Sequence, residues 1–396
     1  VRVGGFVTVL TLEPARRPGA ASRRRLGLAI AGGGPLGAYY AIGALHALSE
    51  SIVGLDLTQL DCYVGVSSGS VLASCLANGF GTPDLLRLFI AEGAAQPGGL
   101  RPLRPDELFT PALGEYASRI ARLPALVLDG LWQLMKNPQS GALAGALLPI
   151  AESLPAGLFD NARFERFLRE LFERDGHSNR FDRLRASLFV VATNLDSGEA
   201  AVFGRGALAG VPVSRAVQAS TALPGLYRPV RIGAANYVDG ALRRTMHASL
   251  ALEAGDDLVF CINPLVAFSG PGPASGRDLA RRGLPTVLSQ TFRTLIQSRM
   301  QVGMADYPAS YPKSDILLLE PDRDDERMFF LNLFKYRDRE RLTEHAYQRT
   351  RADLRRAGPV LARMLARHGL RLDRRRLRDT GRVLPVGGGR RPEGAS

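Results

Sequence analysis

Leu26-Gly27-Leu28-Ala29-Ile30-Ala31 runs straight into Gly32-Gly33-Gly34-Pro35-Leu36-Gly37, and Cys62-Tyr63-Val64-Gly65-Val66 runs as directly into Ser67-Ser68-Gly69. Each is a short apolar run that stops at a glycine-bearing turn. Apolar residues at helical spacing follow each turn: Tyr39, Ile42, Leu45 and Leu48 after the first, Val71, Leu72, Cys75 and Leu76 after the second. Runs this short suit strands buried on both faces, and Pro35 falls where a helix tolerates proline, in its first turn. Strand, glycine turn, helix, twice over, predicts βαβ units on a parallel sheet.

Working outward, the β-rhythm returns at 187–193, 200–203, 236–238, 258–262 and 316–319, with a turn over 194–199. Between 81 and 180 it breaks. Helical patterns at 123–135 and 164–172, and an Ala/Gly/Leu-rich stretch at 141–150, predict a helical insertion beside the sheet. Residues 286–304 read as a helix, and 339–367 as one long basic helix with solvated residues on its face. The expected organisation is a basic, flexible leader over 1–25 and a principal α/β domain over 26–265. A helical and strand extension packed on it covers 266–368, including a Pro/Gly/Ser loop at 270–276. An Arg-rich flexible tail covers 369–396. No internal repeat is visible.

Composition supports a globular chain. With 45% apolar and 22% charged residues over 396 positions, a sizeable core is expected, and wholesale disorder, collagen and a disulfide scaffold are excluded. No run of apolar residues is long enough to read as a membrane span. Lys and Arg sum to 51 against 38 acids, and only Lys136, Lys313 and Lys335 are lysines. That excess suits an anionic partner, a membrane surface or nucleic acid, or simply reflects base composition; no aromatic-basic recognition motif supports nucleic acid. Cys62, Cys75 and Cys261 lack metal-ligand spacing and read as reduced core thiols. Arg23-Arg24-Arg25 has the look of an export signal, but the apolar run behind it is short and turns into glycines. A core strand explains it better, and a cytoplasmic protein is expected.

Three motifs carry chemistry. Gly65-Val66-Ser67-Ser68-Gly69 fits G-x-S-x-G, which seats a serine on a sharp strand-to-helix turn with its hydroxyl exposed. Gly32-Gly33-Gly34 at a helix start aims backbone N–H groups and the positive helix end at an anion. That turn suits either an oxyanion or a phosphate: Gly32, Gly34 and Gly37 also match a dinucleotide spacing, with Asp56 near the place of its acidic residue. Tyr237-Val238-Asp239-Gly240-Ala241 puts an aspartate at a strand end, although an Asp-Gly pair is also an ordinary turn. A Ser-Asp-His order would nominate His247 or His345 as general base, and neither has a motif around it.

Together, the glycine turn, the Ser67 elbow, Ala219-Ser220-Thr221-Ala222-Leu223-Pro224-Gly225 and Asp239-Gly240-Ala241 resemble the patatin-like phospholipase family over roughly residues 26–265. Residues 192–198 (ATNLDSG) look like the family's strand and turn before its later helix. The resemblance implies a three-layer α/β/α fold, with the helical insertion and C-terminal helical extension added. It implies Ser67 as nucleophile with Asp239 as its partner and no histidine. The oxyanion hole falls on Gly32, Gly33, Gly34 and Ser68, and Gly65 and Gly69 shape the elbow. The implied substrates are fatty-acyl esters of phospholipids, lysophospholipids or neutral lipids, with no metal or organic cofactor, and the basic tails suit peripheral association with anionic membranes. A transacylase using the same pair, or an inactive lipid-binding regulator, are the rival readings. The chain departs from the family at Pro35-Leu36, where members usually carry a cation. It departs again at Thr245-Met246-His247, where Asn and Pro are often found.

Overall fold

Alternation along the central strands sorts their side chains onto two faces. Leu28 and Ile30, Tyr63, Leu258, Phe260 and Ile262, and Leu317 and Leu319 enter one core. Ala29, Cys62, Val64 and Val66, Val259 and Cys261, and Ile316 and Leu318 enter a second. A sheet apolar on both faces must be covered on both, so helices lie above and below it. The computed structural model describes residues 2–3, 7–10, 24–91, 99–112, 155–243, 246–269, 279–325, 327 and 338–385.

The main sheet has ten strands: β1 (Arg2–Val3), β2 (Val7–Leu10), β3 (Leu26–Ile30), β4 (Cys62–Val66), β5 (Ser187–Asn194), β6 (Ala200–Phe203), β7 (Val230–Ile232), β8 (Ala235–Asp239), β9 (Leu258–Ile262) and β10 (Asp315–Leu319). Their order is β1-β2-β10-β9-β3-β4-β5-β8-β7, with β6 on β5. The five central strands, β10 to β5, are parallel. From β3 the chain moves outward to β4 and β5 on one side and later returns to β9 and β10 on the other. In such a sheet the crevice outside the carboxyl ends of the strands near the reversal is the favoured ligand site.

The larger core is roofed by α1 (Gly34–Ser51), α2 (Ser68–Ala77), α3 (Thr82–Phe89), α4 (Ala162–Phe172) and α5 (Val213–Ser220). The opposite face is covered by Ser249–Glu253 and by α6 (Leu284–Ser310), which contributes Met300, Met304 and Tyr307. The α/β/α expectation therefore holds, with helices added at the C-terminal side.

Several expectations are corrected. β2 pairs with β10, so the first 25 residues contribute strands to the sheet. The sheet does not stop at 265, since β10 continues it. The insertion is not purely helical: Thr110–Pro111 and Gly157–Asp160 join Gly225–Tyr227 in a small sheet of their own. The segments 123–135 and 141–150, and the loop at 270–276, lie outside the described residues. The single helix expected over 339–367 is two, α7 (Arg339–Arg356) and α8 (Gly358–Arg367), because Pro359 cannot continue the ladder and instead opens α8. Nor is α7 a solvated face. Arg339 and Arg351 are buried, the Arg339 Nε donates to the Ile90 carbonyl at 2.6 Å, and Tyr347 is fully buried against α1. The expected tail is also partly built in: Arg371–Leu372 pairs with Ile52–Val53, and Leu377 and Leu384 are buried.

The Tyr347 hydroxyl donates to Glu50 at 2.6 Å, at the end of α1. Tyr347→Ala is expected to lower unfolding free energy by about 3–5 kcal/mol and Tyr347→Phe by about 1 kcal/mol, in one cooperative transition read by chemical denaturation. A C-terminal region independent of the sheet would show instead a second transition that alone moves.

Candidate active site

One geometric device sets up the site. β4 pairs with β5 in parallel, ending with Val66 beside Val191, while β8 pairs with β5 antiparallel, ending with Asp239 beside Ala192. β6 occupies the other edge of β5 across both residues. β4 and β8 thus share one edge of β5 and run toward each other. Ser67 follows β4 and Asp239 ends β8, so two residues far apart in sequence meet at adjacent positions along a single strand. Ser67 Oγ donates to Asp239 Oδ2 at 2.5 Å.

Local chemistry holds each partner. Ser67 has φ 52° and ψ −130°, a left-handed, strained backbone for a serine. Its amide donates to Ser220 Oγ at 2.8 Å, and Ser220 Oγ in turn donates to the Val191 carbonyl at 2.5 Å. The elbow needs glycine on both sides: a Cβ on Gly65 would stand 2.3 Å from Ser70 Cα, and one on Gly69 2.3 Å from the Ile30 carbonyl oxygen. Asp239 Oδ1 accepts from the Ala241 amide at 2.8 Å, its own amide donates to the Ala222 carbonyl, and Thr193 Oγ1 donates to its carbonyl. The motif at 219–225 thus contributes one residue to each partner. The bracing roles of Ser220, Ala222 and Thr193 were not read from sequence, although all three lie in segments that the resemblance marked.

Both partners are almost inaccessible, at 5% and 2% exposure. Burial pushes the Asp239 carboxyl up to about 6, against the opposing pull of the Ser67 hydroxyl and the Ala241 amide. A carboxylate with that value is half ionised near pH 6 and is a better base than an exposed aspartate.

The glycine turn follows β3 and opens α1. A Cβ on Gly32 would stand 2.8 Å from Ser67 Cβ, so the turn passes directly against the serine. Pro264 packs beneath Gly33 and Gly37. The amides of Gly32, Gly33, Gly34 and Ser68 make no hydrogen bond among the described residues. Free amides at the starts of α1 and α2, beside a buried hydroxyl, are where an oxyanion would be held.

The dinucleotide alternative loses its acid. Asp56 lies on the loop that enters β4, at the amino-terminal end of the strands, where it accepts from Thr58. Neither Ser67 nor Asp239 hydrogen-bonds a histidine among the described residues. His345 Nε2 pairs with Asp325 at 2.5 Å, and His368 with Asp315 at 2.6 Å. His247 is buried with φ 49°, eight residues beyond Asp239. Burial pushes all three cysteine thiols upward, away from nucleophile chemistry. No cluster of His, Cys, Asp and Glu arranged for a metal occurs among the described residues.

A family model described as patatin-like phospholipase matches residues 28–252. Among solved structures, VipD from Legionella pneumophila is 18% identical with a TM-score of 0.33, covering 70% of this chain and 55% of that one. A chain of the ExoU–SpcU complex from the type III secretion system of Pseudomonas aeruginosa is 16% identical with a TM-score of 0.26, covering 92% and 62%. The chain thus spans less than two thirds of the length of either.

A buried carboxyl held near 6 costs stability once it ionises. The folded value lies above the unfolded one, so the penalty is absent below about pH 4, grows as pH rises, and is complete above the folded value. Asp239→Asn should therefore stabilise the fold by about 3 kcal/mol at pH 8 and by little at pH 4, measured by denaturation at both pH values. Equal effects at both pH values would contradict the burial of an ionising carboxyl.

Proposed function

The chain belongs to the patatin-like phospholipase family, and from that premise we propose that it is a serine lipid acyl hydrolase working through Ser67 and Asp239. The observation that carries the reading is the 2.5 Å hydrogen bond from Ser67 Oγ to a buried carboxylate, with no histidine on either partner among the described residues.

A serine hydroxyl becomes a useful nucleophile only when a base removes its proton during attack. Asp239 is in hydrogen-bond contact with that proton and is raised toward neutrality by burial. As Ser67 Oγ bonds to the ester carbonyl carbon, its proton passes to Asp239, and the carbonyl oxygen becomes an oxyanion beside the amides of residues 32–34 and 68. Each donor aimed at that charge contributes on the order of 10²–10³-fold. Collapse expels the alcohol, which takes the proton back from Asp239 and leaves acyl-Ser67. Water then attacks as Asp239 accepts its proton; collapse breaks the acyl–Oγ bond, Ser67 Oγ takes that proton from Asp239, and the fatty acid leaves.

The lipid interface is proposed at α6. Val287, Leu288, Phe292, Leu295 and Val302 are exposed along it at helical spacing, while Gln297 and Met304 turn toward the body. Arg299 on the same helix donates to the Leu242 carbonyl, in the turn directly after Asp239-Gly240-Ala241, so the stripe borders the catalytic turn. No helix among the described residues is long and apolar enough to cross a membrane. An exposed apolar stripe beside a lipid-ester site suits shallow, peripheral insertion, aided on anionic bilayers by the excess of arginine.

Ser67→Ala and Asp239→Asn are expected to lower acyl release from phospholipids by at least about 10³-fold, while His247→Ala and His345→Ala retain it. Activity of the native enzyme should fall as pH drops below about 6, where Asp239 takes up its proton. Loss of activity in a folded histidine variant would replace the dyad with a triad. For the interface, the Phe292→Ser/Leu295→Ser double variant should lose about tenfold or more of its activity on anionic vesicles relative to a soluble aryl ester. A parallel loss on both substrates would remove α6 from the interface.

A further inference from the structure

A hollow of about 600 Å³ is lined by three arginines, Arg215, Arg228 and Arg231. Its one lining carboxylate, Asp160, is ion-paired with Arg228 and also accepts from the Ala162 amide. Arg215 donates to Gln218 and to the Arg231 carbonyl, and Arg231 donates from Nε to the Gly233 carbonyl at 3.4 Å. Asp196 lies close enough to feel the Arg231 charge but is engaged by the amide and side chain of Asn236. The lining therefore carries more positive than negative charge.

The floor is rigid. Asn161 and Gln218 are buried and exchange hydrogen bonds, Asn161 Nδ2 to the Gln218 carbonyl and Gln218 Nε2 to Asn161 Oδ1, each at 3.0 Å. Position follows from register. Asn236 and Leu195 line the hollow, and Asn236 stands three residues before Asp239 on β8. At about 3.3 Å per residue Asn236, at the rim of the hollow, lies roughly 10 Å along the strand from Asp239, on the carboxyl-end side of β5. Gln218 stands two residues before Ser220, which holds the Ser67 amide. In a glycerophospholipid the phosphate is a few bonds from its acyl esters, so spanning both places relies on the added reach of the long arginine side chains of the lining. The glycine turn itself offers Pro35-Leu36 and no cation.

We propose that this arginine hollow binds the phosphate of a glycerophospholipid whose acyl ester lies at Ser67, so that the enzyme selects phosphate-bearing over uncharged acyl lipids. The assignment rests on the hydrolase reading, and the test keeps the two apart. Monomeric dihexanoyl phosphatidic acid and dihexanoylglycerol are compared as substrates for the native protein and for Arg215→Gln and Arg231→Gln. The native protein should prefer the phosphate lipid, and each variant should reduce that preference about tenfold or more, mainly through KM, the effect expected when one charge-assisted hydrogen bond to phosphate is lost. An unaltered preference overturns the proposal.

Binding is measured separately in the Ser67→Ala background by calorimetry with dihexanoyl phosphatidic acid, glycerol 3-phosphate and inorganic phosphate. Weakened lipid binding on adding Arg215→Gln/Arg231→Gln supports the hollow even where no turnover is seen, in which case only the hydrolase reading falls. Unchanged lipid binding overturns the hollow. If inorganic phosphate binds as tightly as the lipid, the site is one for free phosphate and the lipid assignment falls.

Discussion

The strand Ser187–Asn194 acts as a rail on which two other strands end facing one another. Because Val66 pairs with Val191 and Asp239 with Ala192 along one edge, the chain has no room to continue either strand. The first must turn sharply away, giving the left-handed Ser67 elbow; the second must turn into the short helix Gly240–Leu242. The hydroxyl–carboxylate contact therefore follows from strand pairing, with side-chain flexibility playing little part. Ser220 ties the arrangement to the same rail by donating to Val191 while accepting from Ser67.

This architecture stores unfavourable free energy where it is useful. A serine at φ 52° and a carboxylate buried to 2% exposure both oppose folding, and both persist because the surrounding sheet leaves no alternative. Burial makes Asp239 basic enough to accept a proton near neutrality, and the strained elbow holds Ser67 Oγ toward it. Two hydrogen bonds to Asp239, from Ser67 and from Ala241, limit how far the carboxyl can rise. The result is a carboxylate that remains largely ionised at pH 7 yet is poorly solvated.

Much of this was legible locally. The strands flanking Ser67 and Gly32 are short apolar runs closed by glycine, and Asp239-Gly240 ends a strand; such signals need no knowledge of distant partners. What escaped was non-local or too short for periodicity. The bracing by Ser220 spans 153 positions, and no pattern within either segment encodes it. A two-residue strand at Arg371–Leu372 and a five-residue helix at Arg374–Arg378 fall below the length at which a period can be seen, so the segment looked like a tail. Val7–Leu10 lies in an Arg- and Pro-rich stretch that reads as a flexible leader, yet it pairs with β10. The break between α7 and α8 was readable, because Gly358-Pro359 is an ordinary helix boundary, but the apolar period on either side obscured it.

The C-terminal helices bear on the site through α1. That helix carries the glycine turn at its start, so anything that sets its axis also sets where the amides of residues 32–34 lie relative to Ser67. α7 packs along α1 closely enough that a Cβ on Gly43 would stand 2.4 Å from the Thr343 carbonyl oxygen. At the far end, Glu50 accepts from Tyr347 and Arg382 and stands 3.6 Å from His46 on its own helix. Those contacts hold Glu50 well below the usual carboxylate range although burial pushes the other way, so Glu50 stays ionised across the pH range where Asp239 titrates. Pro264, just beyond β9, supports the opposite end beneath Gly33 and Gly37. With both ends fixed, α1 cannot slide along the sheet. The segments after 265 that sequence reading assigns to an extension are thus among the elements that keep the glycine turn in register with Ser67.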